Sequence, residues 1–258
     1  IGIGGSATTE GGIGMLSALG YDFMDENGDR LSPVFDSLEK VVQIKNNRVP
    51  EVLKDCHFQI ACDVTNPLCG ARGCVYVFGA QKGVKEEEKE SMDRAMQSYA
   101  ACLEKFTGKK LSEIPGTGAA GGLGFAFLWG LPNVELKPGI DIVLEAVGLT
   151  NELKDADVVV TGEGCLDFQT AMGKVPVGVA KTAKNYNCKV IAFAGSVTEE
   201  AKNCNEKGID AFFSILPGVC SLDEAMDTET AQKNMRNAAE QVFRLILACG
   251  KEKSSLHP

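Results

Sequence analysis

From Asp157 onward, short apolar runs alternate with helical stretches, and this rhythm narrows the architecture more than any other feature of the chain. Asp157-Val-Val-Val reads as a strand buried on both faces, and a helix follows through Val177 to Lys184. Lys189 to Gly195 is the next strand, ahead of a helix from about Glu199 to Lys207 that Gly208 stops. Ala211 to Ile215 is a third strand, and an amphipathic helix from about Glu229 to Ala248 closes the series. A β-α-β-α-β-α order predicts a parallel sheet with helices on both faces. Residues 1–150 do not alternate in this way. The expected organisation is therefore α/β in two domains, a mixed α/β glycine-rich domain over 1–150 and a parallel-sheet domain over 151–258. With 258 residues and 44% hydrophobic content, the chain can bury a substantial core in either part.

The first strand leads into the segment richest in chemistry, Asp157 to Lys174. Thr161, Glu163, Asp167, Gln169, Thr170 and Lys174 fall in or just past the carboxyl end of the strand, where open α/β sheets place their ligands. Gly162 and Gly164 are expected to end the strand in a flexible turn. Two carboxylates and a lysine around glycines suit a metal-phosphate ligand: oxygens for Mg²⁺, a cation for phosphate, and bare amides for close approach. The competing explanation is a loop whose acids cap a helix from about Gly173 to Asn185. Capping needs one such side chain and not six.

The earlier glycines add candidates. The run from Gly2 to Gly14 reads as an anion-cradling loop before a short helix stopped by Gly20, with Thr8 or Thr9 as its cap. Gly2, Gly4 and Gly5 free backbone amides, while Ser6 and Thr8 offer hydroxyls. Phe58 to Val64 reads as a strand stopped by Asn66-Pro67, and Cys74 to Phe78 as a second. Asp63 at the end of the first is a candidate general base or metal ligand, and an Asx turn that merely ends the strand explains it equally well. Lys82 supplies a cation beside Gly83. A helix from Lys85 to Phe106, ended by Gly108, carries apolar positions at helical spacing and no expected chemistry. Gly116-Thr-Gly-Ala-Ala-Gly-Gly, containing Gly118 and Gly121, opens a helix through Phe125 and Leu128. It either faces an anion or serves close packing. Four clusters hold 21 of the 29 glycines, so several backbone segments are expected to converge on one anionic ligand.

Other functions are disfavoured. The net charge of -9 and pI near 4.9 argue against sequence-independent nucleic-acid binding. No apolar run has the ~18 residues of a membrane-spanning helix. A dinucleotide fingerprint needs G-x-G-x-x-G directly after a buried strand, and Leu111-Ser-Glu-Ile-Pro before Gly116 is not one. Ten cysteines with no C-x-x-C, and only His57 and His257 as histidines, read as free thiols in a reducing cytoplasm. The chain begins without methionine, inside a glycine-rich motif, and reads as part of a longer protein.

Taken in order, Gly2-Ile-Gly-Gly-Ser-Ala-Thr, Asp63-Val-Thr-Asn-Pro-Leu-Cys-Gly, Phe78-Gly-Ala-Gln-Lys-Gly, Gly116-Thr-Gly-Ala-Ala-Gly-Gly and Thr161-Gly-Glu-Gly-Cys-Leu-Asp-Phe-Gln-Thr resemble the glycerate kinase type 1 family. The resemblance runs from the first residue to about Ser196. It implies a two-domain enzyme, with a Rossmann-like domain over 151–258 and a second mixed α/β domain, that phosphorylates D-glycerate with ATP and Mg²⁺. Family members begin with a segment carrying Asp-Ser-Phe-Lys-Gly, which this sequence lacks. Cys165 stands where the family usually has Arg, and Glu10 where it more often has Asp. The resemblance implies that Asp63 or Asp167 takes the hydroxyl proton or holds the metal, with Glu163 as second ligand. Lys174 and Lys82 would balance the charge of the phosphate or of the glycerate carboxylate. Ser6, Thr8 and the loops of Gly4, Gly5, Gly118, Gly121, Gly162 and Gly164 would cradle the anion. A non-catalytic relative that binds a sugar acid or a nucleotide is the alternative, and a homo-oligomer is compatible with the sequence.

Overall fold

The structure, a computed structural model, describes residues 1–250, so His257 and the end of the expected second domain lie outside it. The chain packs as two compact units, Ile1–Ile142 and Val143 onward.

In the first unit the glycine-rich segment enters α1 (Ile13–Ala18), and β1 (Asp22–Met24) pairs antiparallel with β2 (Gln43–Lys45). Then come β3 (Phe58–Ala61), α2 (Cys74–Phe78), α3 (Lys89–Thr107), α4 (Leu123–Gly130) and β4 (Val134–Lys137), and α5 (Gly139–Ala146) spans the boundary at Ile142. The main core joins Ile13 and Leu16 of α1 to Met96, Tyr99 and Leu103 of α3 and to Phe125 and Trp129 of α4. That is the helical stripe the spacing of α3 predicts, and Gly108 ends α3 in the left-handed region at φ 72°. β4 runs parallel to β3, with Ile60 opposite Leu136, and Gly2 bridges in parallel to Ala61 on the other side. The glycine segment thus leaves beside the carboxyl end of β3, next to Asp63.

Two expectations for this unit fail. Cys74–Phe78 is helical and not a strand: Cys74 and Val75 are fully buried while Val77 is half exposed, which is helical spacing. Five apolar residues carry no period that separates a strand from a buried helical turn. Neither Thr8 nor Thr9 caps α1. The cap is Gly12 in the left-handed region, and the Glu10 carboxylate accepts from the Gly14 amide at 2.9 Å.

The second unit contains α6 (Leu149–Glu152), β5 (Val158–Leu166), α7 (Phe168–Ala171), α8 (Val175–Lys184), β6 (Lys189–Val197), β7 (Ala211–Ser214), α9 (Leu222–Met226) and α10 (Thr228–Gly250). The strands form a parallel sheet in the order β5-β6-β7, with Val160 opposite Ile191 and Ile191 opposite Ala211. Alternate residues of β6 serve opposite faces. Val190, Ala192 and Ala194 cluster with Val177, Ala180 and Ala183 of α8, while Ile191 and Phe193 cluster with Val242 of α10. Both faces are covered, as the alternation predicts.

Three details differ. The valines of β5 are not buried on both faces: Val158 and Val159 are partly buried and Val160 is 50% exposed. The strand also does not turn at Gly162 but runs to Leu166, carrying Glu163 and Cys165 within it. Gly162 lets it do so, since a Cβ there would overlap the Phe193 carbonyl of β6. Finally, residues 199–207 form 3₁₀ and not α turns, and α8 starts at Val175, with Pro176 in its first turn, instead of at Gly173.

Candidate functional site

Each unit gathers its own set of expected residues. In the first, a cavity of about 210 Å³ is lined by Gly4, Gly5, Ser6, Asp63, Lys82 and Ala120, among others. Lys82 ends a 3₁₀ turn (Ala80–Lys82) that follows α2, and the left-handed Gly83 closes that turn. Its ammonium donates to Ser6 Oγ at 2.8 Å and to the Thr8 carbonyl at 2.7 Å, which ties the glycine loop to α2. Partial burial pushes the Lys82 pKa below the ordinary lysine value. Asp63 is exposed at the rim, and its Oδ1 accepts from the Gly139 amide at 2.8 Å. Cys62, beside it, is buried with its thiol directed at the Val64 carbonyl, and burial raises its pKa.

The glycines divide by what surrounds them. A Cβ on Gly4 or Gly5 would meet nothing within 4 Å, so these two leave backbone open at the cavity. A Cβ on Gly118 would overlap the Pro67 carbonyl, and one on Gly121 the Thr8 carbonyl. Gly118 donates to the Asn66 carbonyl at 3.0 Å, and the Gly121 carbonyl accepts from Gly11 at 2.9 Å. These two are spent on packing the three loops together. Ala120, between them, sits at φ 53°, a conformation alanine holds only where its surroundings impose it.

In the second unit, the carboxyl end of β5 and the start of α7 bring Glu163, Asp167 and Thr170 together. The Thr170 hydroxyl, fully buried, donates to the Glu163 carboxylate and accepts from the Asp167 amide at 3.2 Å. Asp167 Oδ1 in turn accepts from the Thr170 amide at 3.0 Å, completing a capping box on α7. That amide bond, followed by the positive charge of Lys174 and further bonds from Gln169 and the Thr170 hydroxyl, holds the Asp167 pKa below the usual carboxylate value. Lys174 lies 3.8 Å from Asp167 Oδ1 and is exposed. Asp167 therefore caps the short α7 and not the helix from about Gly173 that the competing explanation names, which begins as α8 after Lys174 with no side-chain cap, and Glu163 and Lys174 take no part in the Asp167 cap. Gly164 is open, and Cys165 is half-buried in β5 opposite Ser196. Among the described residues no group of three or more His, Cys, Asp or Glu gathers to hold a metal.

Two residues escaped the sequence analysis. Thr170 appeared there only as one polar residue of six, and its burial shows its part as the link between two carboxylates. Asp93 lies in α3, where no chemistry was expected. It is 4% exposed, accepts from the Gly70 amide at 3.0 Å and from Gln97 Nε2 at 2.7 Å, and so fixes the loop that follows Asp63. An acid beside Met92 and Met96 within the apolar stripe was the available signal.

The family model described as "Glycerate kinase family" matches residues 1–247. A glycerate kinase of Bacillus subtilis is 42% identical over 246 residues, which covers 95% of this chain and 64% of that protein. A glycerate 2-kinase of Escherichia coli is 44% identical over 225 residues, 87% of this chain and 59% of that protein. A crystal structure from Salmonella typhimurium LT2, assigned as a glycerate kinase 2, superposes with a TM-score of 0.81 at 40% identity, over 96% of this chain and 64% of that one. The chain thus spans less than two thirds of the length of these relatives.

Proposed function

The chain belongs to the glycerate kinase family, and from that premise we propose that it transfers the γ-phosphoryl group of ATP to the 2-hydroxyl of D-glycerate, giving 2-phosphoglycerate and ADP. The E. coli relative is named a glycerate 2-kinase, which supports the choice of hydroxyl. The observation that carries the proposal is the pair of carboxylates held by one buried threonine at the end of a parallel strand, Glu163 on the Thr170 hydroxyl and Asp167 on the Thr170 amide.

Two hard oxygen donors with no third acidic, histidine or cysteine partner among the described residues suit Mg²⁺ that arrives with nucleotide phosphates, and not a metal caged by protein. Glu163 and Asp167 would hold it, and once bound it neutralises phosphate charge. Asp167 suits that task because its lowered pKa keeps it ionised, and for the same reason it is a poor proton acceptor. We therefore give the base role to Asp63. As the glycerate oxygen bonds to phosphorus and the bond to the ADP oxygen breaks, the hydroxyl proton passes to Asp63. Lys174 balances phosphate charge in the second unit, while Ser6 and the open backbone of Gly4 and Gly5 face the acid in the first. Gly118 and Gly121 contribute by holding the loops in place. Ten cysteines without a disulfide suit a reducing compartment, and the cytoplasm is the proposed location.

The test is ADP release from Mg·ATP with and without D-glycerate, by this chain and, side by side, by this chain completed to the length of its relatives. Glycerate-dependent ADP from either form supports the proposal. No glycerate-dependent ADP from the completed form overturns it.

A further inference from the structure

Lys82 is a half-buried cation without an anion. Among the described residues its ammonium makes no ion pair. Its two hydrogen bonds go to neutral oxygens, Ser6 Oγ and the Thr8 carbonyl. An ammonium has three N–H donors, so one remains unspent. Lys174, by contrast, already has Asp167 as its partner and is exposed. Burial without charge compensation is costly, and Lys82 bears that cost at the wall of a cavity.

The cavity restricts what can supply the missing charge. Its volume of about 210 Å³ falls below the ~300–1,000 Å³ of pockets for drug-sized ligands, so it suits a compact anion and not a nucleotide. It carries charge of both signs, since Asp63 lines it along with Lys82. Asp63 has spent one lone pair on the Gly139 amide and keeps others to accept a ligand hydroxyl. A ligand with one carboxylate and one nearby hydroxyl satisfies both ends, with the carboxylate on Lys82 and the hydroxyl on Asp63. A second anionic group in place of that hydroxyl would meet the Asp63 carboxylate and be repelled.

Building on the kinase proposal above, we propose that this cavity is the acid-binding subsite, that Lys82 is its carboxylate-recognising residue, and that it selects small 2-hydroxy monocarboxylates over dicarboxylates and over the phosphorylated product. Selection against the product follows from the same charges, because phosphorylation turns the neutral hydroxyl into an anion facing Asp63. Product release is thereby favoured.

The experiment is calorimetric binding without ATP or Mg²⁺, so that it reads the subsite whether or not phosphoryl transfer occurs. The probes are D-glycerate, D-glyceramide and 2-phospho-D-glycerate, and the proteins are the chain, Lys82→Met and Lys82→Arg. D-glycerate should bind the parent chain, with the amide and the phosphorylated acid weaker by roughly 10- to 150-fold, the range for one charge-assisted hydrogen bond. Lys82→Met should lose glycerate affinity by a similar factor and no longer distinguish acid from amide. Lys82→Arg should keep part of the preference for the acid. Equal binding of D-glycerate and D-glyceramide by the parent chain overturns the proposal even if the variants do not fold. So does a folded Lys82→Met that binds D-glycerate at parental strength, or a parent chain that does not bind D-glycerate. The ADP assay fails or succeeds separately from all of these.

Discussion

At the scale of single residues, one hydroxyl and one ammonium carry the clearest consequences. Thr170 holds the Glu163 carboxylate and caps with Asp167, and it is fully buried. Thr170→Val keeps the shape, removes the hydroxyl and leaves the Glu163 oxygen without its donor. Groups that orient a ligand set typically account for ~10–100-fold in activity or metal affinity. The expected outcome is a loss of that size in kcat/KM with a raised Mg²⁺ requirement, largely restored in Thr170→Ser; a magnesium titration at saturating glycerate checks it. Lys82 yields a pH dependence. An anion raises the pKa that burial has lowered, so binding is intact below the free-state value and is lost as pH rises through the bound-state value. The KM for D-glycerate should therefore climb in alkaline solution, beginning below the ordinary lysine value of 10.5, while the KM for ATP follows a different profile. Parallel rises in the two constants would count against Lys82. Clustering of polar residue types made Glu163, Asp167 and Lys174 legible in sequence. The role of Thr170 was not, because nothing local distinguishes a buried threonine hydroxyl from the exposed Gln169 beside it.

At the scale of elements, legibility followed periodicity. The second unit repeats its alternation of short apolar runs and helical stretches three times, and it forms the parallel sheet that alternation implies. Cys74–Phe78 belongs to no such repeat, and its five residues alone do not separate a strand from a helical turn. The exposure of Val160 depends on what packs over β5, which the strand's own residues do not encode. The glycine clusters were legible as loops but not as two kinds of loop, because only the fold separates Gly4, with open space, from Gly121, pressed on the Thr8 carbonyl. That difference is measurable. Gly121→Ala puts a Cβ into backbone and does so at φ 68°, so it should destabilise the first unit by at least ~1–3 kcal/mol, read as a lower urea midpoint. Gly4→Ala should leave the unfolding free energy within about 0.5 kcal/mol of the parent and the midpoint nearly unmoved, as surface changes usually do. Equal midpoints for the two variants would mean the three loops are not packed as described.

At the scale of the whole molecule, the two units have separate apolar clusters, and buried cysteines are shared between them in a way that allows each core to be followed. Cys62 and Cys74 lie in the first unit, Cys188 and Cys204 in the second, and all four are buried, whereas Cys220 and Cys249 are exposed. A thiol must be both reachable and ionised to be alkylated. Burial raises the pKa of Cys74 to about 12, and Cys204 is raised first by burial and then by the negative charges of Glu163 and Asp167. Brief alkylation of the native chain should therefore modify Cys220 and Cys249 and spare these four. In rising urea, mass spectrometry should show Cys62 and Cys74 becoming reactive together, and Cys188 and Cys204 together, each pair at the midpoint of its own unit. Gly121→Ala should shift the first pair to lower urea. Rapid labelling of Cys188 or Cys204 in the native chain would show that the sheet carrying Glu163 is not closed by α8 and the 199–207 turns. In that case the carboxylate pair would lack the rigid support on which its proposed role rests.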